Sequence, residues 1–295
     1  MQIIDSKYNP YLSNLFSTTV LKEFATYNRS NLFDEVLLKS RFIETIKNNY
    51  KLADIYDALF EYLLENYRSE YVYKNAIALK ILLGRHSLNT SSLLTELRVK
   101  SSKADIVILN GTSNVYEIKT EYDTLDRLDE QINSYLGMFD KIYVVTHSSQ
   151  LMKIKKVLDK RIGVLELSDS YSLKIIRKPL SNKTKVIPSM IFDTFRKSEY
   201  IKAIKMTNHI VPNVPNTQLF GECKKIFSKL KPYIAHDIMI KVLAERVSKK
   251  DLIETKNVIP KSLMHSWLVS SLNLNQREKI INLLNTKFQK IHQSK

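Results

Sequence analysis

Residues 104–119 constrain this chain more than any other stretch. Ala104-Asp105-Ile106-Val107-Ile108-Leu109 is an almost wholly apolar run of strand length, and Asn114-Val115-Tyr116-Glu117-Ile118-Lys119 is a second run of similar length. Between them, Asn110-Gly111 predicts a tight hairpin, since such turns need residues that tolerate positive φ. In antiparallel pairing the start of the first strand lies beside the end of the second, so Asp105 meets Glu117 and Lys119. The two-residue period of a strand puts Glu117 and Lys119 on one face, with Tyr116 and Ile118 on the other. Two carboxylates and an ammonium thus converge on one point of an apolar hairpin, the makings of a cation site with a lysine beside it.

The neighbouring pattern supplies a sheet around that hairpin. A helix is predicted from Asp123 to Phe139, with Leu125, Leu128, Ile132, Leu136 and Phe139 on its apolar face. Gln131 and Tyr135, four apart, are neighbours on it. Lys141 to Thr146 reads as a short strand covered on both faces. A helix follows around Leu151 to Leu158, carrying Lys153, Lys155, Lys156 and Lys160, which are either solvated or turned toward phosphate. Strands at Ile162 to Leu167 and Leu173 to Arg177 extend the sheet, giving an α/β fold with a mixed central sheet and helices on both faces.

On the N-terminal side, residues 1 to about 30 are polar and irregular in pattern. Leu52, Ile55, Tyr56, Leu59 and Leu63 fall at helical spacing, and Tyr71 to Leu83 forms a further helix stopped at Gly84. Ser92 to Val99 reads equally as a helix end or a strand, so Glu96 either faces the hairpin acids or is a solvated acid paired with Arg98 or Lys100. After Pro179 the pattern turns helical, at Ile191 to Met206, Leu219 to Leu230, Ile234 to Val247, Leu263 to Leu272 and Arg277 to Ile291. The division is a helical region over 1–69, a core over 70–180 and a helical region over 181–295. The last could grip nucleic acid, bind a protein partner or cover the core, and it carries no helix-turn-helix signature.

Composition narrows the function. A net charge of +16 over 295 residues suits a polyanionic partner, because phosphates neutralised by Lys and Arg release counterions. The single cysteine, Cys223, excludes an internal disulfide and a cysteine-based zinc site, and its apolar helical setting marks a buried structural thiol. The histidines include no zinc-spaced pair, and His147, after a core strand, is expected to cap or lie at the surface. Five glycines form no phosphate-binding loop, which excludes an ATPase of that kind. With no signal segment and no membrane-length apolar run, the expectation is a cytoplasmic protein away from membranes.

The hairpin and its helix resemble the PD-(D/E)xK nuclease superfamily, whose pattern is an acid, a hairpin, acid-x-Lys and then a helix. Here these are Asp105, Glu117, Lys119 and the helix from Asp123; Ala104 stands where the superfamily's name has proline. Gln131 and Tyr135 match the Gln-x-x-x-Tyr signature of the RecB-like branch, and Glu96 stands where many members carry a further glutamate. Glu-Leu-Arg-Val, Lys-Ala-Asp-Ile-Val-Ile-Leu-Asn-Gly, Tyr-Glu-Ile-Lys-Thr-Glu and Leu-Asp-Arg-Leu are also similar to an uncharacterised bacterial family of that superfamily, named after a myxobacterial locus tag. The resemblance covers roughly residues 70 to 170. It implies a restriction-endonuclease-like fold and a Mg²⁺-dependent nuclease, with Mn²⁺ as a substitute, for which DNA rather than RNA is the expected substrate, in phage-defence or mobile-element biology.

By that resemblance Asp105, Glu117, Lys119, Gln131 and Tyr135 are the catalytic set. Asp105, Glu117, the backbone carbonyl of Ile118 and Glu96 are the metal ligands. Mg²⁺ takes hard oxygen ligands and keeps several waters, so few carboxylates suffice. Lys119 orients the attacking water or stabilises phosphorane charge, and whether it also serves as base is not fixed by sequence. The competing expectation is a non-catalytic nucleic-acid-binding or protein-interaction module on the same fold. Protein partners and oligomeric state are not readable.

Overall fold

The computed structural model describes residues 4–248 and 250–288, in which the apolar periodicities become helices at both ends of the chain and one six-stranded sheet between them. The chain divides into two compact units, Met1–Gly84 with Lys249–Lys295, and Arg85–Ser248. This division falls elsewhere than the boundaries read from the sequence: residues 70–84 go with the first unit, and residues 181–248 go with the sheet.

The first unit is helical. Helices α1 (Asn9–Asn14) and α2 (Thr18–Tyr27) occupy the stretch read as irregular, and α3 (Asn31–Lys39) follows it. The pattern escaped notice because the helices are short, and α2 and α3 are each started by a serine cap. Ser17 accepts from Val20 N–H, and α2 then buries Val20, Leu21, Phe24 and Ala25 before Asn28 closes it at φ 61°. In α4 (Leu52–Asn66) the Asp54 carboxylate accepts Lys51 N–H at 2.7 Å, and Leu52, Ile55, Tyr56, Leu59 and Leu63 are buried at the predicted spacing. Helix α5 (Glu70–Ile77) runs on into a wider π-helical stretch, Ala78–Leu83, capped at Gly84.

The second unit holds the sheet, in the order β1 (Ser92–Val99), β2 (Ser102–Leu109), β3 (Ser113–Lys119), β4 (Lys141–Thr146), β5 (Gly163–Leu167) and β6 (Leu173–Arg177). β2 pairs antiparallel with both β1 and β3; β4 and β5 continue in parallel with β3; β6 returns antiparallel. The open choice at Ser92 to Val99 is settled as a strand, paired to β2 across the two-residue turn Lys100–Ser101. The β2–β3 connection is a three-residue loop, Asn110–Thr112, rather than a two-residue turn. Leu109 pairs with Ser113, and Gly111 supplies the positive φ of 81°.

Helix α6 (Leu128–Leu136) is shorter than predicted, because Asp123 is spent on the turn before it, accepting from Thr120 N–H at 2.8 Å. Helix α7 (Ser148–Val157) links β4 to β5. The stretch 191–206, read as one helix, is broken into α8 (Pro188–Phe192) and α9 (Lys197–Lys205), followed by α10 (Asn216–Phe227) and α11 (Pro232–Ala244). Val107, Val115, Val144 and Val164 of the sheet share one buried cluster with Leu128, Ile132 and Phe139, and with Phe192, Phe227 and Met239 of the later helices. Of the three roles open to the C-terminal helices, those up to Ala244 cover the core. Each such side chain contributes about 1.5–3 kcal/mol relative to exposure, so this face is held rigidly. Cys223 lies wholly buried within the cluster, and burial pushes its thiol pKa up.

The chain then returns to the first unit through α12 (Lys250–Thr255), α13 (Met264–Val269) and α14 (Leu274–Leu284). Phe288 N–H donates to Tyr50 O at 2.9 Å, tying this end back to the start of α4. The predicted helix to Ile291 ends at Leu284, and its residues from 289 on lie outside the described residues. Among the described residues, no helix is long and apolar enough to cross a membrane.

Candidate active site

The site residues read from the sequence all fall in the second unit, around the point where the β2–β3 ladder ends. Pairing runs from Leu109–Ser113 to Ile106–Tyr116 and stops. One residue further on, Asp105 puts its side chain where the ladder would have put a carbonyl: Oδ2 accepts Ile118 N–H at 2.7 Å. A backbone donor of this kind both fixes the carboxylate and favours its ionised form. Ile118 thus meets the site through its N–H, on a strand that pairs with β4 at Val145.

Glu117 and Lys119 share the face of β3 that looks toward α6, while Tyr116 turns to the other face and stacks on Tyr143. Lys119 Nζ lies 3.0 Å from Glu117 Oε1 and donates to Gln131 Oε1 at 2.9 Å. Tyr135 Oη lies 2.7 Å from Glu117 Oε2 and 3.0 Å from the Lys103 carbonyl. Gln131 and Tyr135 reach β3 from successive turns of α6, as their four-residue spacing requires.

The electrostatics follow from burial. The Glu117 side chain is 2% exposed and that of Lys119 11%. Burial raises the Glu117 pKa above the ordinary carboxylate value, against the opposing pull of Lys119 and of hydrogen bonds from Tyr135, Lys119 and Gln131. Burial, then the neighbouring Glu117 charge, pushes the Tyr135 phenol up as well. Tyr135 has one hydroxyl proton for two acceptors. With Glu117 ionised, that proton belongs on the carboxylate; with Glu117 protonated, it is released to the Lys103 carbonyl. Tyr135 therefore accommodates either state of Glu117.

Glu96 stands opposite Asp105 in the β1–β2 register, between the pairs Thr95–Ile106 and Leu97–Ala104. Its φ is 56°, a left-handed value that side chains adopt at a cost of about 1–2 kcal/mol. Its carboxylate lies within 4.8 Å of that of Asp105, and its ion pair is with Lys103, not Arg98 or Lys100. Glu96 and Asp105 offer an all-oxygen donor pair, while Glu117, held by Lys119 and Tyr135, is not among the carboxylates grouped with them within 4.8 Å. Both Glu117 oxygens already accept hydrogen bonds, from Tyr135, Lys119 and Gln131, which leaves about one lone-pair position open. The residues present therefore fit a hard divalent cation, with Glu96 and Asp105 the more accessible ligands.

Two polar residues beside this cluster were not singled out from the sequence. Thr146 is the register partner of Lys119 on β4, wholly buried, and its hydroxyl has no partner among the described residues. Gln150, in the first turn of α7, donates to Asp123 O at 3.2 Å, while its Oε1 has no partner among those residues. A threonine closing an apolar strand, with a glutamine in the next helix, was the available signal. His147 caps α7, accepting from Ser149 N–H, and lies 3.7 Å from Glu121, which is exposed in the turn beyond β3.

A family model described as bacteriophage P4 protein cII matches residues 63–267, well over half of the chain. The chain belongs to the phage P4 cII family. Protein cII of Enterobacteria phage P4 is 31% identical over 96 residues, covering 31% of this chain and 36% of that protein. The match thus spans little more than a third of that relative's length. A solved structure, of a protein of unknown function from Silicibacter pomeroyi, is similar over 41% of this chain and 84% of its own, at 17% identity and a TM-score of 0.28.

Proposed function

We propose that the second unit carries a Mg²⁺-dependent nuclease centre that hydrolyses phosphodiester bonds, in DNA ahead of RNA. The observation that carries this reading is Lys119, buried and held between Glu117 and Gln131 beside the point where Asp105 ends the β2–β3 ladder. Asp105, Glu96 and Glu117 would hold the cation, which supplies charge neutralisation at the phosphate and makes a bound water more acidic. Lys119, fixed by two acceptors, keeps its third proton for a phosphate oxygen or the attacking water and so stabilises charge that develops in the transition state. Gln131 shares the Lys119 ammonium with Glu117 and so fixes its position, and Tyr135 holds Glu117 in one rotamer. Membership of a family named for a phage protein accords with a mobile-element setting.

A second reading is a binding module on the same fold. It is favoured by one observation: both Glu117 oxygens are engaged within the protein, as in a structural ion pair. The two separate in a cleavage assay on single- and double-stranded DNA and RNA, with millimolar Mg²⁺ or Mn²⁺. The nuclease reading expects cutting by the wild type and a loss of about 10²-fold or more in Lys119→Ala, the scale of removing one transition-state donor. Cutting by Lys119→Ala at the wild-type rate would sink it.

A further inference from the structure

We infer that a groove on the outer side of β1 seats the phosphodiester backbone of a nucleic-acid strand leading to the Glu96–Asp105 acids. The inference rests on the proposed function for the class of its ligand, and on the second unit alone for its geometry. The groove encloses about 620 Å³, and its wall includes Glu96, Arg98 and Lys100 from the β1 edge, with Asp193, Arg196 and Arg246 facing them. β1 is an edge strand, so no further strand of the sheet closes this side.

The charges in the groove are not equivalent. Arg246 is spent on Glu199, at 2.6 and 2.7 Å, with both side chains mostly buried. Asp193 is neutralised by Lys224 at 2.5 Å, and Glu96 by Lys103. Arg98, Lys100 and Arg196 form no carboxylate ion pair among the described residues, and all three are exposed. Two cations of the β1 side, with Arg196 facing them, thus line the groove, and Glu96, whose carboxylate lies within 4.8 Å of that of Asp105, stands in the same groove. A polyanion fits such a groove. Phosphates flanking the reacting one meet arginine forks and a lysine, while the reacting phosphate, brought among carboxylates, needs the bound cation. Lys100 is further fixed by its turn, at φ 53°, which aims it from a rigid hairpin rather than a loose loop.

The test is fluorescence anisotropy of the full-length protein with a labelled 20-mer, single-stranded and as a duplex, in EDTA so that nothing is cut. The groove variant is the triple Arg98→Ala, Lys100→Ala, Arg196→Ala. A control with the same loss of charge is the triple Lys153→Ala, Lys155→Ala, Lys156→Ala on α7, whose side chains are exposed. Folding of both is checked by circular dichroism. The groove triple is expected to lose at least about tenfold in affinity at 100 mM salt, with the slope of log K against log salt reduced by about 2–3. The control should lose no more than about threefold. Equal losses, or a loss in the control alone, would overturn the groove, as would a wild type that binds no oligonucleotide at low salt. If the groove triple loses binding while the wild type neither cuts nor takes up Mn²⁺, the groove stands and the nuclease reading falls.

Discussion

At Glu96 a non-glycine residue holds φ 56° inside a paired strand, directly across from Asp105. Its ion pair with Lys103 is exposed and worth at most about 1 kcal/mol, too little to account for the strain. Glu96→Gly relieves the left-handed backbone but adds the entropy cost of glycine. We expect the urea midpoint to stay or to rise by the equivalent of up to about 1 kcal/mol, while Mn²⁺ affinity falls. A clear loss of stability would mean that Glu96 is structural. Tyr135 gives the opposite expectation. Tyr135→Phe leaves Glu117 and the Lys103 carbonyl short of a donor in a buried setting, and should cost about 1–3 kcal/mol at neutral pH by chemical denaturation.

Between elements, a polar knot ties α11 to the opposite end of the sheet. His236 Nε2 lies 2.7 Å from Ser113 Oγ, which accepts Asp140 N–H at 2.9 Å. Burial disfavours the Asp140 carboxylate, but Ser181, Thr112 and the N–H groups of Asn182 and Lys183 outweigh it and lower its pKa. Burial, aided by Lys183 and opposed by Asp140 and Asp237, lowers the His236 pKa below 6.5. Below pH 6.5 the unfolded chain therefore takes up a proton that the folded chain refuses, and stability contributed by neutral His236 is lost as pH falls through that window. His236→Gln should flatten the urea midpoint between pH 7 and pH 5 relative to wild type; parallel curves would contradict this. The hairpin, the strand faces and the Gln131–Tyr135 spacing were legible because each is a short-range period. The knot was not, since Ser113 and His236 are 123 residues apart. The orientation of Glu96, a named ligand, stayed open for a related reason: it depends on a single left-handed residue, which no apolar pattern marks. The early helices were missed because each is short, so its apolar period runs for only two or three turns.

For the molecule as a whole, the buried tryptophan and the candidate site fall in different units. Trp267, the single tryptophan, is buried in the first unit, where the Arg277 guanidinium lies 4.7 Å from its ring. Arg277 donates to the carbonyls of Trp267, Ser270 and Leu272 at the end of α13. Arg277→Ala strips three buried acceptors and should cost about 2–4 kcal/mol, read from Trp267 fluorescence in urea. The seven site residues named from the sequence lie in the other unit, so the site is best probed there by its own ligand. The measurement that bears most directly on it is a calorimetric Mn²⁺ titration of full-length wild type, Asp105→Asn and Lys119→Ala. The account predicts saturable binding by the wild type, retained in Lys119→Ala and lost in Asp105→Asn, because a neutral amide is a poor ligand for a hard cation. A wild type that takes up no Mn²⁺, or an Asp105→Asn variant that binds it equally well, would contradict the account.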